Sequence, residues 1–99
     1  MSKEQAKEII IRALREQPDT DEIPTDINIT DDYLELSYGD ERVFIYYDNI
    51  GDIHFYKKAY YHVQVNDKDS HSKIDLEIAN EQKAKAFIDA LNSLMIGVK

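Results

Sequence analysis

Between Asn80 and Met95 the chain carries Ala84, Phe87, Ile88, Leu91, Leu94 and Met95 at three- and four-residue steps. That spacing gathers them into one stripe along a helix, with Glu81, Lys83, Lys85, Asp89 and Asn92 largely on the other side. Asn80 can cap the first turn by accepting from its free amides, and Gly97 is a natural stop just beyond the last turn. A stripe this wide has to be buried. The only large apolar partner in the sequence is the run of strands that precedes it, so the spacing predicts a closing helix over residues 80–95 laid on a sheet.

The strands declare themselves by a change of period. Residues 2–17 read as a first helix: Ser2 and Gln5 have capping-box spacing, and Ala6, Ile10, Ala13, Leu14 and Gln17 share a face, widened by Ile9. Pro18 ends it. Residues 18–26 form an acidic connector bounded by Pro18 and Pro24, without the glycine or the twelfth-position glutamate of a calcium loop. From residue 27 to residue 78 the apolar positions alternate, which marks antiparallel strands. Ile27 and Ile29 lead into a turn at Asp31-Asp32. Leu34 and Leu36 oppose Tyr33 and Glu35 on the next strand, and Gly39-Asp40 signals a hairpin. Val43, Ile45 and Tyr47 then share one face, with Arg42, Phe44 and Tyr46 on the other. Asp48-Asn49 with Gly51 marks a bend or bulge.

The following pair sets Ile53, Phe55, Tyr61, Val63 and Val65 on the core side. A three-residue loop at Lys57-Lys58-Ala59 keeps polar and apolar residues apart, whereas a two-residue loop mixes them. In that register Tyr56 faces Tyr60 and His54 faces His62. Ile74, Leu76 and Ile78 make a last strand that runs into the closing helix.

Composition bounds the function. One domain fits in 99 residues, 42% hydrophobic and 32% charged, and the formal charge is −8. So acidic a domain repels phosphate backbones and anionic headgroups, which argues against nucleic acid and stable membrane binding. There is no cysteine, hence no disulfide, thiol nucleophile or thiolate metal site. The opening residues lack a signal-peptide core and no apolar run is long enough to span a bilayer, so a cytoplasmic location is the expectation. Glycines are scattered rather than gathered in a phosphate loop, and Ser70-His71-Ser72 has no identifiable orienting acid. No enzyme activity and no cofactor are implied.

The order helix, about six antiparallel strands, helix is that of an α+β domain. Within it, Val43-Phe44-Ile45-Tyr46-Tyr47-Asp48-Asn49-Ile50-Gly51-Asp52-Ile53 resembles the strand–bend–strand segment of bacterial pleckstrin-homology-like domains. Ile74-Asp75-Leu76-Glu77-Ile78, running directly into the Phe87/Leu91 stripe, adds to the likeness. The resemblance covers residues 27–95 and implies a bent sheet or partly open barrel capped by the closing helix. It also implies a role in binding protein. This chain has six strands where the family usually has seven, and no tryptophan in the closing helix. Its first loops, at Asp31-Asp32 and Gly39-Asp40-Glu41, are acidic where phosphoinositide-binding members carry lysine and arginine. A cystatin-like open sheet is the alternative architecture.

The candidate interaction face is the second face of the middle strands: Phe44, Tyr46, His54, Tyr56, Tyr60 and His62. Mutual need predicts that the first helix lies across it, over Phe44, Tyr46 and Tyr56, within the chain or across a homodimer. A partner protein on the same face is the competing expectation, and a small-ligand or metal-binding role centred on this aromatic/histidine face is the functional alternative. His54 and His62 could chelate zinc with Asp52 or Gln64 as extra ligands, but zinc takes three or four ligands and histidine with carboxylate only is uncommon for a structural site, so no metal is assigned. With acidic loops, the domain is expected to leave phosphoinositide-containing vesicles unbound at physiological salt in a co-sedimentation assay. Saturable binding at micromolar protein would contradict the electrostatic reading.

Overall fold

The architecture is described from a computed structural model over residues 1–96. Helix α1 spans Lys3–Arg15, and its first turn closes as the capping-box spacing predicts. The Gln5 amide donates to Ser2 Oγ at 3.1 Å and the Ser2 amide to Gln5 Oε1 at 3.0 Å. Helix α2 spans Glu81–Ile96, with the Lys83 amide donating to Asn80 Oδ1 at 3.0 Å. Gly97, expected to stop this helix, lies outside the described residues.

The strands form two three-stranded antiparallel sheets. The first holds β1 (Asp26–Ile29), β2 (Tyr33–Tyr38) and β3 (Glu41–Tyr46). Its register stacks Ile29 on Leu34 on Ile45 and Ile27 on Leu36 on Val43, an apolar layer on the inner face. Gly39, at φ 63°, makes the two-residue β2–β3 turn that a side chain with a Cβ enters only under strain. A 3₁₀ turn at Tyr47–Asn49 then carries the chain to the second sheet. Tyr47 is 2% exposed there, and its hydroxyl donates to the Thr30 carbonyl at 2.9 Å. Burial, and then the charges of Asp31 and Asp32, push that phenol up to about 12.

The second sheet holds β4 (Ile50–Lys57), β5 (Tyr61–Asp67) and β6 (Ser72–Ile78). The β4–β5 loop has three residues as expected, but they are Lys58, Ala59 and Tyr60, one place further on. Every cross-strand pair therefore moves by two: Phe55 faces Val63, Ile53 faces Val65, Tyr56 faces His62 and His54 faces Gln64. A slip of two keeps each side chain on its own face, so alternation of polarity does not distinguish the two registers. The flat stack of Tyr56 on His62, 4.8 Å between centroids and 3° between planes, belongs only to the observed one.

The six strands do not make one continuous sheet and are not closed into a barrel. Among the described residues no strand pairing joins the sheets, and β3 and β6 each keep a free edge. Part of the β6 edge is closed by a side chain. Buried Gln17 accepts the Glu77 amide at 3.3 Å while donating to the carbonyls of Leu14 and Glu22.

The helices lie antiparallel, because Met1 meets Ser93 at one end and Glu16 meets Lys83 at the other. Ala6, Ile10, Ala13 and Leu14 of α1 are buried, as are Ala84, Phe87, Ala90, Leu91 and Leu94 of α2. Ala13 and Ala86 line the seam between the helices, where small side chains let the two backbones approach closely, and α2 also reaches β5, β6 and the Tyr47–Asn49 turn. It is thus the shared element between α1 and the strands.

Truncating Phe87, fully buried in this shared layer, to alanine is expected to cost about 3–5 kcal/mol, read as the fall in the urea-unfolding midpoint. Gly51 sits at the β4 bulge, where an added Cβ would meet the Asp67 carbonyl oxygen at 2.5 Å. Gly51→Ala should therefore destabilise by roughly 1–3 kcal/mol, by overpacking against backbone that has no side chain to move aside. A melt identical to that of the parent would show that the β4–β5 contact is looser than described.

Candidate functional site

On the first sheet the register sets Tyr33 opposite Tyr46 and Glu35 opposite Phe44, all on the outer face. The Tyr33 ring meets Phe44 edge-on at 5.6 Å and Tyr46 at 5.3 Å, so Tyr33 forms the base of a three-ring cluster. Phe44 is 39% and Tyr46 49% exposed, large values for aromatic residues side by side on a sheet. Between the rings and the β2–β3 turn, Arg42 donates through Nε to Glu35 Oε2 at 2.6 Å. Its guanidinium also lies over the Phe44 ring, 5.5 Å from the centroid. Glu35 is buried for a carboxylate, and its charge is satisfied by Arg42 with help from Asn28. This face accepts a cation stacked on an aromatic ring, and the chain supplies one.

Of the other four expected face residues, His54, Tyr56 and His62 lie on β4 and β5 of the second sheet and Tyr60 in the loop between them. His54 is exposed and bonded to Asp52 at 2.8 Å. His62 is only 8% exposed, packed under Tyr56 with its Nδ1 3.5 Å from Asp75 Oδ1. Its place as an exposed contact is corrected accordingly. Because His54 faces Gln64, the two histidines do not meet across the strands, and the two-histidine chelate is lost with the expected register. Tyr60 is exposed at the hairpin tip, and Lys58 lies over the Tyr56 ring at 5.6 Å.

The largest correction concerns α1. It does not lie across Phe44, Tyr46 and Tyr56, since its apolar stripe is buried against α2. The outer face of the first sheet is left uncovered within the chain. Phe55 is a further exposed ring that alternation alone assigns to the core. It is on the inner side of β4, stacked on Tyr61 at 6.1 Å, near the hairpin end. Alternation gives the side of a sheet and not how far the cover extends along it.

A third group escaped sequence reasoning. Asp67, Asp69 and His71 bring donor atoms within 4.8 Å of one another in the β5–β6 turn. The spacing Asp-x-Asp-x-His was the available signal. Asp67 Oδ1 accepts the amides of Asp69 and His71, each at 2.9 Å, while Oδ2 lies 3.4 Å from His71 Nδ1 and 4.0 Å from Lys73 Nζ. Its carboxylate is thus already engaged in locking the turn, in which Ser70 takes a φ of 67°. No protein-family model matches this chain, and no curated protein or solved structure matches it.

The backbone amide of His71, with that of Asp69 and the nearby imidazole, holds the Asp67 carboxyl below the usual carboxylate range. Its bonding therefore adds stability above the unfolded value of about 3.9, and the contribution is lost as pH falls through the folded value. Asp67→Asn keeps an acceptor oxygen but removes this titration. Urea midpoints measured down the acid limb should fall less steeply for that variant than for the parent, and parallel curves would exclude Asp67 as a contributor.

Proposed function

We propose that this chain is a non-enzymatic protein-interaction domain of pleckstrin-homology-like type, and that its contact surface is the outer face of the first sheet. The observation that carries the proposal is the adjacent exposure of Phe44 and Tyr46, both resting on Tyr33. Aromatic side chains held in one rotamer by their neighbours lose little entropy on docking, and they dominate interface energetics when a partner excludes water from them. Sheet positions fix them more tightly than loop positions would. The Arg42–Glu35 pair beside them supplies charge and hydrogen bonding at the same surface.

The charge of −8 works against nucleic acid and anionic membranes as partners. No described helix is long and apolar enough to cross a membrane. The metal form of the alternative paired His54 with His62 across the strands, whereas each meets a separate acid, Asp52 and Asp75.

The test is a pair of substitutions that strip the face without touching the core. Phe44→Ser with Tyr46→Ser should lower the thermal midpoint only modestly, since each ring is about half in water and gives up its contact with Tyr33 but no core packing. It should weaken binding to a protein captured from cytosol by about 10–100-fold. Undiminished affinity in the double variant would remove this face from the interface.

A further inference from the structure

Between the free edges of β3 and β6 lies a cleft of about 510 Å³, bounded at one end by the connector that follows α1. Its walls carry Asp21 and Glu22 from the connector, Glu41 from the start of β3 and Asp75 from β6, against Lys73 alone. Among the described residues Asp21, Glu22 and Glu41 have no ion-pair partner. Lys73 leans toward Asp67. The Tyr38 hydroxyl at the cleft has its pKa raised, by burial first and then by the charges of Glu22 and Glu41. Leu14 and Ile74 also border the cleft but are buried in the core, and of the apolar residues around it Val43 is the half-buried one.

The backbone of the β6 wall is open to pairing. Gln17 accepts the Glu77 amide, which shows that residue 77 turns its backbone groups to the free edge. Backbone groups alternate in direction along a strand, so those of Asp75, two residues back, face the same way into the cleft. Gln17 therefore acts as a one-residue stand-in for a missing neighbouring strand, and beyond it the edge is available. Such edges are places where an extended peptide adds itself to a sheet.

From these features we infer that the cleft is a second binding site, which takes an extended basic segment of a partner protein as an added strand on β6. Side chains of such a segment alternate, so lysine or arginine on one side meets the carboxylate walls while small apolar residues on the other rest on the half-buried Val43. A second copy of this chain is a poor occupant, because it brings another −8 to a negative cleft. The site uses other side chains than Phe44 and Tyr46 and stands whether or not the aromatic face binds.

A labelled peptide of alternating lysine and valine, about eight residues long to match a strand, is the probe. It is titrated into the whole chain at low salt while backbone amide resonances are followed. The expected result is saturable binding with shifts at Val43, Lys73 and Asp75, weakened by added salt. The variant Glu41→Gln with Asp75→Asn should weaken binding by about tenfold while leaving the amide spectrum folded. The same peptide N-methylated at every internal backbone amide keeps its charge and loses its donors to either edge, and should bind at least as much more weakly. Equal binding of the N-methylated peptide would overturn the inference, leaving only unspecific attraction to an acidic domain. So would shifts centred on Phe44 and Tyr46, an absence of saturable binding, or a sedimentation result showing the cleft closed by a second copy.

Discussion

The contact on which the rest of the structure depends is the pairing of α1 with α2. A helix with Ala6, Ile10, Ala13 and Leu14 on one stripe has to bury it, and α2 offers Ala86 at the seam, where a second backbone can come close. Once α1 is spent there, nothing else in the chain is long and apolar enough to cover the outer face of the first sheet. The exposure of Phe44 and Tyr46 is thus a consequence of helix packing on the opposite side of the sheet. The path of the connector follows as well: leaving α1 beside α2, it brings Gln17 to the edge of β6 and Asp21 and Glu22 to the wall of the cleft.

Much of this fold is legible in the residues. Ser2 with Gln5, Asn80, Gly39 and the alternation of Leu34, Leu36, Val43 and Ile45 each act over a few neighbours, and local rules suffice to place them. The partner of α1 was not legible, because a stripe states that a helix must be buried without saying against what. Alanines at positions 13 and 86, which both line the seam, were the available hint of a close helix pair. The register of β4 on β5 failed for a related reason, since alternation is blind to a slip of two. That slip decided which of Tyr60, His62 and Gln64 faces His54 and Tyr56. The cleft was least legible of all, being assembled from three segments that only the packed sheets bring together.

Electrostatics then sorts the surfaces. The chain's own cations are used sparingly, with Arg42 over Phe44, Lys57 over Tyr61 and Lys58 over Tyr56. Each places a positive group on an aromatic face, as the ring quadrupole favours. The carboxylates around Glu41 and Asp75 have no comparable supply. Aromatic surface on the outer face of β3 and an acidic cleft along its edge give this short strand two chemically different neighbourhoods.

The central claim, that α1 is committed to α2 and leaves the outer face of the first sheet in water, is tested most directly by hydroxyl-radical footprinting of the free monomer, read by mass spectrometry. Adjacent residues make the contrast internal, since Tyr46 is largely exposed and Tyr47 is enclosed. The account predicts rapid oxidation of Phe44 and Tyr46, with Tyr47, Ile10 and Phe87 protected. Protection of Phe44 and Tyr46 together with Ile10 would place α1 on the aromatic face and contradict it.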